Sequence, residues 1–155
     1  MSLRLSLTIQ RAVRSKTIPS DALLRRYARA ALAQFDGKLA LTLRIVGETE
    51  SQQLNGIYRN KNTPTNVLSF PFDAAPDFAI PYLGDLVVCA KVVQREAAEQ
   101  GKKLNHHWAH MVIHGCLHLL GYDHIKNQDA DEMEALERTI LAQLNIPDPY
   151  AIEHE

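Results

Sequence analysis

Residues 103–124 read KLNHHWAHMVIHGCLHLLGYDH. The stretch to Leu120 reads as one helix. Gly121 is placed to stop it, because glycine readily takes the left-handed conformation that ends helices. On such a helix His114 and His118 lie four apart, one turn along the same face, so two imidazoles can reach one metal ion. Beyond the glycine the chain turns, and His124 can swing back as a third ligand, giving the spacing HxxxHxxGxxH. Three neutral imidazoles with no cysteine or carboxylate suit one zinc ion, and nickel or another divalent transition metal would also bind. Three protein ligands leave the fourth tetrahedral position to water, the arrangement of a catalytic site. Imidazoles among Val, Ile and Leu without a metal would each need a buried partner.

Six of the seven histidines lie between positions 106 and 124. His110 extends the stripe by one more turn, but one ion does not easily take ligands from three successive turns, so it reads as a packing residue or as a support for the ligands. His106 and His107, near the helix start, read as surface residues, and His154 lies in the tail. Asp123 either orients an imidazole or serves the turn.

Working outward, Leu3, Leu5, Leu7 and Ile9 alternate with polar neighbours, the period of a half-buried strand. Arg4, Arg11, Arg14 and Lys16 without acids resemble a transit peptide in composition, but the strand period argues for a soluble, cytoplasmic protein. Ser20 is an expected N-cap for a helix carrying Leu23, Leu24, Tyr27, Ala31 and Phe35, stopped by Gly37. Residues 39–46 form a second strand. Thr49 and Gln52 read as a capping box for a helix to about Asn60. Residues 61–65, containing Pro64, form a loop. Residues 66–72 and 82–89 are strand-like. Helices follow over 90–100, ending at Gly101, and 103–120. A last helix follows an Asp129 cap and is ended by Pro147, with Met133, Leu136, Ile140, Leu141 and Leu144 inward and Asp131, Glu134 and Glu137 outward. The order β-α-β-α-β-β-α-α-α predicts one α+β domain over residues 1–155, with a small sheet of about four strands and about five helices. It is too irregular for a doubly wound fold.

Composition agrees. The 155 residues are 46% apolar and 23% charged, values of an ordinary globular domain. No apolar run approaches the roughly 18 residues of a membrane span. Cys89 and Cys116 form no CxxC pattern and read as buried thiols of a reducing compartment. The net charge of −1 conceals a division: residues 1–66 hold 11 basic against 4 acidic residues, and residues 67–155 hold 6 against 14. Arg11, Arg14, Lys16, Arg25, Arg26, Arg29 and Lys61 could contact phosphates along a polyanion. Aromatics are only 6%, and no RNP-type motif is present.

HGCLHLLGYDH resembles the signature HGxLHLxGYDH of the YbeY family, bacterial metal-dependent endoribonucleases that mature ribosomal RNA. YRNKNTPTNVLSFPF and YLGDLVVC are similar to two further blocks of that family, in the same order. Asn66 departs from the pattern, because many members carry Asp there. The resemblance implies a small mixed sheet with helices packed around it. It implies a metal, usually zinc, on His114, His118 and His124. It also implies action on single-stranded RNA, processing of small-subunit (16S) rRNA and a part in ribosome quality control. Arg59 matches an arginine the family places beside the metal. Ribosomal small-subunit proteins would be partners, with no DNA and no membrane.

HxxxHxxGxxH also occurs in metalloproteases, which carry a Glu general base directly after the first His. Here that position is Gly115, which cannot take a proton, and this argues against a peptidase of that type. A metal there would supply an acidified water and polarise a phosphate oxygen. Arg59 would give charge-assisted hydrogen bonds to the scissile phosphate, with Lys61 as a second contact. Asp85, an acid in an apolar strand, wants a partner: a strand could point it toward the metal cleft as base or orienter, or it could serve a structural hydrogen bond. Ser69 reads as a buried strand serine. Two alternatives stand beside the nuclease: a non-catalytic ribosome-assembly factor with a structural metal, and a metal hydrolase of another substrate.

Overall fold

A computed structural model of the chain describes residues 2–72, 81–122 and 127–151. The elements are β1 (Leu3–Arg11), α1 (Asp21–Leu32), β2 (Gly37–Val46), α2 (Glu48–Arg59), β3 (Val67–Pro71), β4 (Tyr82–Cys89), α3 (Ala90–Gln100), α4 (Leu104–Leu119) and α5 (Asn127–Gln143). The four strands form one sheet in the order β1-β2-β4-β3. β1, β2 and β4 are parallel, and β3 pairs antiparallel to β4 at the edge. The architecture is the expected α+β domain with a small mixed sheet.

Register decides what each sheet face carries. Leu7 pairs with Leu41, Leu43 with Leu86, Ile45 with Val88, and Val88 with Val67, so these residues share one face. They pack with Leu24, Ala28 and Leu32 of α1 and with Trp108, Val112 and Ile113 of α4 in the main core. The opposite face carries a smaller core of Val46, Leu68, Val87, Cys89 and Val92, with Leu54 and Phe70 against it. α4 is buried almost all round, from His107 to Leu119. Truncating a leucine in such an interior typically costs about 2–5 kcal/mol.

Ser20 caps α1, accepting the Leu23 N–H. Three expected boundaries move. α1 ends at Leu32, five residues before Gly37, which instead opens β2, and Phe35 lies exposed beyond the helix. α2 is entered from Gly47 with no side-chain cap, so Thr49 and Gln52 make no capping box. α5 begins at Asn127, which places Asp129 inside it, and it ends at Gln143, short of Pro147. Asn145 there takes a left-handed φ of 61°. Gly121 does stop α4: at φ 101° its N–H reaches the His118 carbonyl, and Tyr122 N–H reaches that of Leu117.

Candidate functional site

A cleft of about 560 Å³ runs along the free edge of β3, lined by Tyr58, Arg59, residues 65–70, His114 and His118. Its wall from α2 is fixed by buried polar side chains. Ser51 Oγ donates to the Thr65 carbonyl at 3.0 Å and accepts the Thr65 N–H at 2.9 Å. Asn55 Nδ2 donates to the Thr63 carbonyl at 2.8 Å. Asn60 takes a left-handed turn, φ 57°. These contacts fold loop 60–66 back along the helix and set Arg59, its last residue, on the wall of the cleft that His114 and His118 also line. Arg59 is exposed and carries no ion pair among the described residues.

The floor comes from α4. The Nε2 atoms of His114 and His118 are 3.1 Å apart. Two nitrogens sharing one tetrahedral ion at about 2.0–2.1 Å each would lie roughly 3.3 Å apart, so the pair fits a common metal. The proton inventory agrees. Glu137 Oε1 stands 2.9 Å from His114 Nδ1. Burial would raise the Glu137 carboxyl, but hydrogen bonds from His110 and His114 hold it at about 2. An ionised carboxylate only accepts, so Nδ1 of His114 is the donor, and in the neutral ring Nε2 is left bare toward His118. A carboxylate behind a ligand histidine is the usual device for fixing tautomer and ring angle.

Glu137 is fully buried, at 0% exposure. Its Oε2 meets His110 Nε2 in a short contact and accepts the Tyr150 hydroxyl at 2.7 Å. Burial and this carboxylate push the Tyr150 phenol up, so it stays a donor. Burial lowers His110, against the pull of Glu137. His110, His114 and Glu137 also bring one ligand atom each within 4.8 Å of one another and could hold a metal ion themselves. Three donors already converge on Glu137, however, while His114 and His118 line the cleft. Glu137 was expected to face outward and was the residue missed. Its signal was in the sequence: it lies four after Met133 and four before Leu141, both on the inner face.

Other positions also moved. His107 is buried, not a surface residue, and sits 2.9 Å from Glu96, which also accepts from Asn66 Nδ2 at 3.1 Å. An Asp at 66 would set a second carboxylate against Glu96, so amide and acid are matched here. Asp85 does not reach the cleft. It pairs in register with Phe70 and Thr42 on the face away from α4, and its described partner is the Tyr82 hydroxyl. The hydrogen-bonding alternative therefore describes it, and the orientation toward the metal cleft does not. Ser69 Oγ donates to the Gly115 carbonyl at 3.3 Å, as a structural serine. Arg11 is engaged through Nη2 by Asp21 at 2.6 Å and by the Pro19 carbonyl. Arg14 and Lys61 are exposed. His124 and Asp123 lie outside the described residues.

Gly115 faces the sheet. A Cβ there would stand 2.8 Å from Leu86 Cδ2 and 3.2 Å from Val67 Cγ2, so α4 packs tightly on β3 and β4 at this glycine and a side chain here would displace those methyl groups. A glutamate at that position would drive into the core instead of reaching a water in the cleft. No carboxylate lines the cleft among the described residues.

A family model described as Endoribonuclease YbeY matches residues 9–145. The chain belongs to the YbeY family. A Pseudomonas putida (strain KT2440) protein named Endoribonuclease YbeY is 59% identical over 148 residues, covering 95% of this chain and 94% of that one. A Pseudomonas entomophila protein of the same name is 57% identical over the same span and coverage. In fold, the chain is similar to the solution structure of a Thermotoga maritima protein, with TM-score 0.58, 22% identity and 97% of each chain covered. Within the YbeY signature HGCLHLLGYDH, residues 114–119 form the end of α4 and Gly121 stops it. The block around Arg59 builds the facing wall and the edge strand β3, and the block around Gly84 is β4, the strand that β3 pairs with. Gly84, at φ 140°, leaves only 2.2 Å between a built Cβ and the Phe70 carbonyl, so glycine is what lets β3 lie this close. No helix among the described residues is long and apolar enough to cross a membrane.

Proposed function

We propose that this chain is a metal-dependent endoribonuclease of single-stranded RNA, with small-subunit ribosomal RNA as substrate. The observation that carries the proposal is the His114–His118 Nε2 pair, 3.1 Å apart on the floor of a cleft whose wall presents Arg59. Membership of the YbeY family supports the substrate class. His114 and His118 would hold one zinc or similar divalent ion, with His124 as third ligand and Glu137 setting the His114 ring. Such an ion supplies Lewis-acid polarisation and an acidified water.

The chain's own groups do the rest. The Arg59 guanidinium donates to the non-bridging oxygens of the scissile phosphate and gains strength as negative charge grows there. Lys61, exposed two residues on, adds a sequence-independent phosphate contact, and Arg14 extends the basic track. A cleft with a cation on its wall and no described carboxylate favours a phosphodiester over a peptide, since phosphoryl chemistry leans on charge stabilisation. The working context is the cytoplasm, with ribosomal small-subunit proteins delivering the RNA, because this cleft offers little to read base sequence. Residues 1–155 act as one domain.

The test is cleavage of a labelled single-stranded RNA by the wild-type protein and by His114→Ala purified identically. Cleavage by the wild type alone is expected. Equal cleavage by both would sink the proposal and favour a non-catalytic assembly factor. Loss of cleavage with loss of fold, seen by circular dichroism, would assign the metal a structural role.

A further inference from the structure

Tyr58 is the most exposed aromatic ring among the described residues, at 62% exposure. It is the neighbour of Arg59 and shares the cleft with His114 and His118. Its ring stands edge-on to Phe70, with centroids 4.9 Å apart and planes at 68°. Phe70 is seated on the small second core, so Tyr58 is braced from behind and bare in front. Tyr58 and Phe70 also line a second groove, of about 510 Å³, on the other sheet face. They form the ridge between the two hollows.

The second groove is polar but its charges are already spent. Arg44 is gripped by Glu50 through two hydrogen bonds, at 2.6 and 3.0 Å, and Asp85 is bonded to Tyr82. Gln10 accepts from Arg44 and Thr42 is bonded to the Tyr82 hydroxyl, so a phosphate finds no uncommitted cation there among the described residues. An aromatic face beside a phosphate-binding arginine is what a single strand uses when it splays a base out of its stack.

We infer that Tyr58, braced by Phe70, is a stacking ledge for a nucleobase of the bound RNA strand, one nucleotide away from the phosphate held by Arg59. This rests on the endoribonuclease reading and deepens it. Tyr58 is a binding residue here, and no reaction step passes through it. The ring accepts any base, so the ledge favours single strands over duplexes without selecting a sequence.

The experiment is fluorescence anisotropy of the full chain with two labelled probes of equal length: a 2′-O-methyl hexanucleotide, and the same backbone with abasic sites. The wild type should hold the base-bearing probe roughly 5- to 150-fold more tightly than the abasic one, the range of one stacked base. Tyr58→Ala should abolish that difference while melting like the wild type, because its ring is exposed. Tyr58→Phe should retain it. A preference for bases that survives in Tyr58→Ala overturns the ledge and leaves the nuclease reading standing. Equal binding of both probes by the wild type overturns it as well. The nuclease reading itself falls only on the His114→Ala cleavage test.

Discussion

Replacing Glu137 with Gln changes one oxygen for one NH2 group and almost no volume, yet three donors converge on that carboxylate: His114 Nδ1–H, His110 Nε2–H and the Tyr150 hydroxyl. The amide keeps a single acceptor oxygen. Whichever way it turns, its NH2 faces a donor, so at least one charge-assisted bond is lost and one buried donor is left unmatched. Hydrogen bonds to charged groups contribute about 1.5–3 kcal/mol, and an orphaned buried donor costs about 1–3 kcal/mol. With relaxation, a loss of about 2–4 kcal/mol is expected, or about 5–15 °C in Tm for a domain of this size. The metal readout is separate. A carboxylate behind a ligand histidine is typically worth 10- to 100-fold in affinity, so zinc held by Glu137→Gln should weaken by that factor in competition with a chelating dye. Two results would refute the reasoning. Zinc affinity and Tm equal to the wild type would mean that Glu137 does not hold His114. A loss of affinity far beyond 100-fold, with Tm little changed, would make Glu137 a direct ligand alongside His110 and His114.

Three further outcomes follow from the geometry. Gly115→Ala forces a methyl into Leu86 and Val67 and should cost about 1–3 kcal/mol in urea unfolding; a neutral substitution would show that the Leu86 side chain can move aside. Burial pushes the Cys116 thiol up to about 12, and Cys89 is buried as well, so the folded chain should release no thiol colour with a disulfide reagent at pH 8 while the unfolded chain releases two equivalents. Acid should weaken the metal-free fold in two stages. Burial holds His110 below its ordinary 6.5, so the stability of its neutral form is complete above that value and declines as pH falls beneath it. Burial would raise Glu96, but His107 and Asn66 hold it below its ordinary 4.5, so its contribution is full above 4.5 and is lost as pH falls through the lowered value. A Tm that stays flat from pH 7 to 5 would contradict the first sign, and one that stays flat on further acidification below pH 4.5 would contradict the second.

Much of the fold was legible along the chain. Alternation marked β1 because one sheet face meets the core and the other meets water. The bounds of β4 and α3 were read correctly, since Gly101 closes α3 in a left-handed turn that few other residues take as easily. His114 and His118 were legible because a helix repeats every 3.6 residues and places them on one face whatever surrounds it. The Thr49–Gln52 box failed because capping residues are common, and the sheet decides where a helix is entered.

What the sequence could not decide was which side of an element faces which neighbour. Asp85 lies in a strand buried on both faces, with Leu86 and Val88 in the main core and Val87 in the small one, so alternation alone does not say which face borders the cleft. Pairing with Phe70 and Thr42 settles it. Glu137 has the spacing of its apolar neighbours, but its charge reads as solvent-facing until α5 lies on α4 and brings His110, His114 and Tyr150 around it. Local periodicity determines where side chains lie on their own helix or strand. Only packing between elements far apart in the chain supplies the partners that make a buried carboxylate affordable and turn two histidines into a site.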